Sequence, residues 1–343
     1  MNKIDLISIG DNATDAFIKL SEAELNCDIN RPECKICLRF ASKIPYESVT
    51  EVPAGGNSSN VVLGAAKLGL NTAYISNLGK DIHGDNTLAK LSASGVDTKL
   101  VTQQLGARTN YNYVLWYQDD RTILVHHQKY DYQWPEQIET PAWVYLSSVG
   151  DENLSYHQSL SHWLQANPKI KLAFSPGTHQ IKVGVEKLKD IYARTEILFC
   201  NKQEAEKIIG DQAMRETTSG SLEVASLTAF HIRTLAERIK ILGPKIVVIT
   251  DGEKGAYCLD QKDDFWFMPA LNSKAFERTG AGDAFASAFL SAIFYGQPTE
   301  TALAWGAINA SAVVTQIGPH AGLLAREEIE AKIKNDNLGA KQV

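Results

Sequence analysis

The sequence has no long apolar run. None of its hydrophobic stretches approaches the ~20 residues of a membrane-spanning helix, so no membrane partner is expected. It has no excess of basic charge either. Lys and Arg number 34 against 40 Asp and Glu, a net charge of −6, which argues against a nucleic-acid surface. An anionic ligand would then have to be met by local N–H groups, a cation or a few basic side chains. Cysteine is scarce, five in 343 residues, too few for a disulfide framework in so long a chain. Three cluster as Cys27, Cys34 and Cys37. Zinc asks for a full tetrahedral ligand set, and no His lies between Met1 and Lys80. Reduced cysteines on a β-rich flap are therefore expected, with metal binding left open. There is no repeat and no low-complexity tract. Residues Met1–Gly10 lack a signal-peptide layout, so a cytoplasmic location is expected. The turn after the first apolar strand reads Gly10-Asp11-Asn12-Ala13. That is not the Gly-x-Gly-x-x-Gly of a dinucleotide-binding dehydrogenase.

What is present is an alternation of strands and helices. Lys3–Gly10 reads as a buried first strand, with Asp11–Asp15 a polar loop at its carboxyl end. Residues from about 17 to 53 are polar and short-stranded, and read as a small β flap. Ala54–Asn60 opens a helix that stops at Gly69, followed by a strand over Thr72–Leu78 and a helix over Asp85–Ser94. Thr109–Trp116 and Arg121–His127 alternate as strands joined by a polar turn. From Trp143 onward the pattern is βα, with strands at Val144–Ser148, Lys171–Phe174, Ile197–Cys200 and Ile246–Thr250. Residues 211–225 read as a loop-like insertion, and 334–343 as a frayed end. Such alternation predicts a mostly parallel sheet covered on both faces.

The most informative stretch is Arg278–Phe285, Arg-Thr-Gly-Ala-Gly-Asp-Ala-Phe. Thr279, Gly280, Ala281 and Gly282 let a ligand approach the backbone. The apolar helix that follows presents unbonded N–H groups and the positive end of its dipole. That is a site for an anion, and phosphate is the usual one. Asp283 in the first turn would repel a resting phosphate, so it reads better as a base beside one. The bland alternative is an ordinary acidic residue at a helix start. Asn201 and Glu204 lie three apart on one helix face and would suit a hydrated Mg²⁺; a capping box makes the same pattern. Thr250, Gly252 and Gly255 suit a loop over a nucleotide, or a hairpin turn before Tyr257. Gly55-Gly56 reads as a close-approach loop or a tight turn. Asn60 stands in the first turn or so of an apolar helix, where an amide needs a partner. Asp15 is an exposed loop acid or a carboxylate for substrate hydroxyls.

In this order the motifs resemble the ribokinase-like PfkB family of sugar and nucleoside kinases, over about residues 4 to 330. Ala54–Gly69 looks like the family's N-terminal signature and Thr279–Phe285 like its C-terminal one. The resemblance implies a three-layer α/β/α fold of one domain, residues 1–343, with a small β lid from about 24–52 and 109–127. It implies an ATP- and Mg²⁺-dependent kinase acting on a primary hydroxyl of a sugar or nucleoside. Asp283 would be the base and the N–H groups of Gly280, Ala281 and Gly282 the anion hole. Asn201 and Glu204 would place the Mg²⁺–phosphate group. Thr250, Gly252, Gly255 and Thr279 would touch the nucleotide, and Asn309 would border the adenine. Asp15, Gly55, Gly56 and Asn60 would bind substrate hydroxyls. Glu277-Arg278 replaces the Asp-Thr common in the family, which leaves K⁺ dependence open. Asn57 stands where ribokinases proper carry Lys, which argues against ribose, and the Cys27–Cys37 insertion is not a general family feature. Exposed lid edges make a homodimer through the lid the expected assembly. The competing readings are a catalytically weak sugar- or nucleotide-binding regulator and, because of Arg108 and Arg121, a sugar-phosphate kinase.

Overall fold

The computed structural model describes residues 3–27, 34–118, 120–150, 153–210, 224–273 and 276–343. Their strands are β1 (Leu6–Ile9), β2 (Ala13–Leu20), β3 (Glu24–Cys27), β4 (Cys34–Cys37), β5 (Tyr46–Gly55), β6 (Thr72–Gly79), β7 (Val101–Gln104), β8 (Tyr111–Tyr117), β9 (Asp120–Leu124), β10 (Trp143–Leu146), β11 (Lys171–Phe174), β12 (Thr195–Asn201), β13 (Ile246–Thr250), β14 (Ala256–Leu259), β15 (Phe265–Met268) and β16 (Lys341–Gln342). The helices are α1 (Asn57–Lys67), α2 (Ile82–Ala93), α3 (Leu154–Ala166), α4 (Thr178–Val183), α5 (Lys189–Arg194), α6 (Lys202–Ile209), α7 (Val224–Ile241), α8 (Ala281–Phe294), α9 (Thr299–Val313) and α10 (Arg326–Asp336). The insertion expected over 211–225 lies almost wholly outside the described residues.

Ten strands form the central sheet, in the order β16-β15-β14-β13-β12-β11-β10-β1-β6-β7. From β7 to β13 neighbours are parallel; β14, β15 and β16 add an antiparallel edge. Both faces are covered, which is why these strands read as continuous apolar runs. Successive residues point to opposite faces. Ile7, Val144, Leu172, Leu198 and Val247 pack with α3, α5, α6 and α7. Leu6, Trp143, Ala173, Phe199 and Val248 pack with α1, α8, α9 and α10. The layers are helix, sheet and helix, the ribokinase-like arrangement. Parallel strands end on one side, so the loops after β1, β12 and β13 converge there, where open α/β sheets hold ligands.

A second sheet of four strands, β5-β2-β8-β9, stands over that side. Residues 13 to 20, read from the sequence partly as a polar loop, are instead its strand β2, paired antiparallel with β5 and parallel with β8. Phe17, Val114 and Trp116 share one face of it and are buried. A separate hairpin, β3–β4, places Cys27 directly opposite Cys34. The two are disulfide-bonded, with Cα atoms 4.1 Å apart. This corrects the expectation of reduced thiols: spacing does not reveal that a hairpin register will oppose two cysteines. Cys37 is free and exposed, and the described residues hold no cluster of three or more His, Cys, Asp or Glu suited to a metal. No described helix is long and apolar enough to cross a membrane.

Candidate active site

Helix α8 begins at a left-handed residue, Gly280, with φ 80°. A side chain there would be strained and would run into Pro319. The turn leaves the N–H groups of Gly280 and Gly282 without a hydrogen-bond partner among the described residues, while that of Ala281 donates to Arg278 O at 3.4 Å. Asp283 sits in the first turn. Burial pushes its carboxyl up to about 7; Asn60 pulls against this, and the negative charges of Glu204 and Asp15 add to it. A carboxylate balanced near neutrality can accept a proton, as a general base must.

Asn60 reaches Asp283 from α1: its Nδ2 donates to Oδ2 at 2.7 Å. A close helix crossing makes this contact. Four residues after Asn60 comes Gly64, and four after Asp283 comes Ser287. A Cβ on Gly64 would lie 2.7 Å from the Ser287 Cβ. One turn is 3.6 residues, so a crossing at Gly64 and Ser287 sets Asn60 against Asp283 one turn earlier.

Asn201 ends β12 and is paired in register with Thr250 at the end of β13. Asn201 Oδ1 accepts from Glu204 N, and Glu204 Oε2 accepts from Asn201 N, both at 2.9 Å. The capping box is therefore real. It does not exclude a metal role, because Glu204 lines a cavity of about 130 Å³ with Asn201, Ser175, Thr250, Gly282 and Asp283. Burial raises the Glu204 carboxyl above its usual range, against the pull of Asn201 and Lys207. Hard carboxylate and amide oxygens suit Mg²⁺, which keeps several waters and shares its shell with phosphates.

Gly252 and Gly255 belong to the turn between β13 and β14, an antiparallel hairpin. Both have positive φ, 56° and 114°. The turn is tied to the anion loop by an ion pair between Arg278 and Glu253. Asn309 is fully buried, its Nδ2 donating to Ala284 O at 2.9 Å and its Oδ1 accepting from Leu324 N at 3.1 Å. The amide ties α9 to α8 and to the segment just before α10.

Asp15 is buried on β2 and accepts from Asn112 Nδ2 at 2.9 Å. Its carboxyl is raised by burial, against Asn112 and reinforced by Glu277. Gly55 abuts it so closely that any Cβ would strike the carboxylate, and Gly56 takes φ 103° as the N-cap of α1. Three polar atoms on β1–β2 and the neighbouring strand β8, Asn12 Nδ2, Thr14 Oγ1 and Asn112 Oδ1, are buried without a partner. Buried polar atoms normally have partners, so these mark a place for a polar ligand. Asn12 and Asn112 escaped the sequence reading because only tertiary contact gives them meaning. Glu277 and Arg121 form another unforeseen pair. Glu277 accepts from Thr279 N at 2.7 Å and from its hydroxyl. Arg121, on β9, lies 3.7 Å from the same carboxylate and donates to Thr279 Oγ1 at 3.2 Å.

This architecture and the anion loop beside a buried carboxylate define a three-layer α/β/α phosphotransferase scaffold. Arabidopsis thaliana ribokinase, solved with ribose and ATP, superimposes with a TM-score of 0.72 at 19% identity, covering 97% of this chain and 99% of that one. The chain belongs to the pfkB family of carbohydrate kinases, which it matches over residues 20–326. Among curated relatives, it is 28% identical to the 5-dehydro-2-deoxygluconokinase of Halalkalibacterium halodurans, over 82% of this chain and 86% of that one. It is 25% identical to the nucleoside kinase of Methanothermobacter thermautotrophicus, over 92% of this chain and 90% of that one. It is thus a kinase that phosphorylates an alcohol group, and kinases of this family use ATP.

Proposed function

We propose that Asp283 is the general base of this kinase, acting on a primary hydroxyl of a sugar or sugar acid. The observation that carries the reading is its placement: an acid pushed to about 7, at the positive end of α8 and in one cavity with Asn201 and Glu204. Asp283 takes the hydroxyl proton as the oxygen bonds to the γ-phosphorus and the bond to the ADP oxygen breaks. The N–H groups of Gly280 and Gly282, with the helix dipole, stabilise the charge on the transferred group. Glu204 and Asn201 would hold Mg²⁺, which when bound neutralises charge on the phosphates. Thr250, Thr279 and the Gly252–Gly255 turn border the nucleotide. Glu277 Oε1 is held by Thr279 and Arg121, while Oε2 is buried without a hydrogen-bond partner; rates compared in K⁺ and Na⁺ buffers test for a monovalent cation there.

Asp15, Gly55, Gly56 and Asn60, with Asn12 and Asn112, form the acceptor end. Donors and acceptors left open there suit a polyhydroxylated molecule. The second sheet, β5-β2-β8-β9 with the β3–β4 hairpin, acts as a lid that excludes water. It carries nine of the fifteen large hydrophobics that are exposed among the described residues, Leu25, Phe40, Ile123, Leu124 and Val125 among them. Apolar patches of this kind mark interaction sites, which supports a dimer through the lid. A cytoplasmic location accords with an ATP-dependent reaction.

The deciding experiment is a phosphorylation screen with ATP and Mg²⁺ across pentoses, hexoses, deoxy-keto sugar acids, sugar monophosphates and nucleosides. Transfer to an unphosphorylated sugar or sugar acid is expected. Preference for a sugar monophosphate would overturn the acceptor assignment, since Arg121 is already committed to Glu277 and Thr279.

A further inference from the structure

His320 has no role in the scheme above, yet it ends a chain of polar contacts that begins at Asp283. Its Nε2 lies 2.8 Å from Asn60 Oδ1, and the other end of that amide donates to Asp283 Oδ2 at 2.7 Å. The three residues are far apart in sequence, at positions 60, 283 and 320. An ionised carboxylate only accepts, so the amide end facing Asp283 must be NH₂. The end facing His320 is then the carbonyl, which needs a donor, and this fixes the imidazole tautomer with its proton on Nε2. The ring stays neutral. Burial pushes its pKa down to about 3, Lys90 adds to this, and the Ala54 backbone opposes it. Nδ1 is buried and makes no close hydrogen bond, the Ala54 backbone being the other polar group that acts on the ring.

We propose that His320 is a positioning residue for Asp283: by donating to Asn60 Oδ1 it locks the amide with its NH₂ toward the carboxylate. A free amide could turn over and present its carbonyl. That end would favour a protonated Asp283, which cannot act as a base. The lock therefore holds Asp283 in its proton-accepting state at the pH where the enzyme works. The groups facing Asp283 are Asn60 on α1, Glu204 on α6 and Asp15 on β2. Those around the imidazole are Lys90 on α2 and, across a cavity of about 260 Å³, Lys67 and Ser94. Only Asn60 links the two sets. The inference rests on Asp283 being the base.

The test is the pH dependence of kcat and kcat/KM for wild type, His320→Leu, His320→Gln, His320→Asn, Asn60→Ala and Asp283→Asn. Leucine removes the donor. The acid limb should move up by about one pH unit, the scale of one hydrogen bond to a charged group. The rate near pH 6 should fall about tenfold, while the alkaline plateau stays close to wild type. Glutamine can reach and donate, and should restore the wild-type limb; asparagine is too short and should not. Asn60→Ala should shift the limb by a similar amount, and adding His320→Leu to it should shift it no further. An acid limb unmoved in His320→Leu and His320→Asn overturns the proposal. So does a loss that is equal at every pH and not rescued by glutamine, which would mean a packing role. Asp283→Asn keeps the two readings apart. If it is inactive while His320 variants leave the limb in place, only the His320 role falls. If it stays active, the base assignment itself falls.

Discussion

The central sheet and the lid above it differ in how their strands are stabilised. β1, β10 and β6 are buried along their whole lengths, and each buried large side chain contributes roughly 1.5–3 kcal/mol. In the lid β2 is largely buried, but β3, β4 and most of β5 are exposed and apolar groups face solvent. The proposed base and its amide partner stand on the first region, Asp283 on α8 and Asn60 on α1, whose crossing leaves no room for a methyl group at Gly64. Asp15 and Asn112 stand on the second. The difference teaches how the labour is divided: chemistry needs fixed geometry, whereas admitting a substrate needs an element cheap to move.

The largest test of the rigid region is Asp283→Asn. Turnover should fall by at least ~10²–10⁴-fold, the usual worth of a general base, with nucleotide affinity nearly unchanged; near-normal turnover would remove Asp283 from the mechanism. The sign of its pKa shift gives two further readouts. A base near 7 must be ionised, so wild-type kcat/KM should decline as pH falls through about 7. Its folded pKa lies above the ordinary aspartate value of 3.8, so the folded state binds the proton more tightly. That stabilising contribution is present at acid pH and is lost as pH rises through about 7. The asparagine variant should then melt above wild type at neutral pH.

Gly64→Ala comes next. The added methyl meets Ser287 and should cost about 1–3 kcal/mol by overpacking, readable as a lower Tm. It should also lower kcat, because the α1–α8 crossing sets Asn60 against Asp283. A lower Tm with unchanged kcat would show that the crossing does not govern the site.

Glu204→Gln should raise the Mg²⁺ concentration giving half-maximal rate. Glutamine at N3 keeps the capping box, so an unchanged Mg²⁺ profile would leave that box as the whole role of the pair. The smallest effect on chemistry belongs to the lid. Leu124→Lys with Val125→Glu should yield a monomer in sedimentation while the core's melting is unchanged; if wild type itself sediments as a monomer at micromolar concentration, the dimer is wrong and the kinase assignment stands. Hydrogen exchange with and without acceptor tests motion, and equal protection of β2, β5, β8 and β9 in both states would rule out a closing lid.

Local sequence announced features whose cause is local. Thr279–Asp283 reads as an anion loop because small residues before an apolar helix can make little else, and Gly280 does adopt the left-handed cap. Asn201 and Glu204 three apart make a capping box in any helix. Buried parallel strands show as unbroken apolar runs. The reading faltered where meaning comes from pairing. Residues 13 to 15 looked like loop because their partners, β5 and β8, lie far along the chain. Nothing in its own helix shows that Asn309 bonds Ala284 and Leu324. Cys27 and Cys34 became a pair only through the register of their hairpin.

By itself the sequence determined the layer order, the anion loop and the identity of the acid beside it, because periodicity, helix starts and glycine conformations act within a few residues. Only the tertiary structure decided what state that acid is in. Burial, the nearby charges of Glu204 and Asp15, and the Asn60 amide held by His320 are brought to Asp283 from four other stretches of chain, and a carboxyl's proton affinity is set by everything within a few ångströms, whatever its distance in sequence.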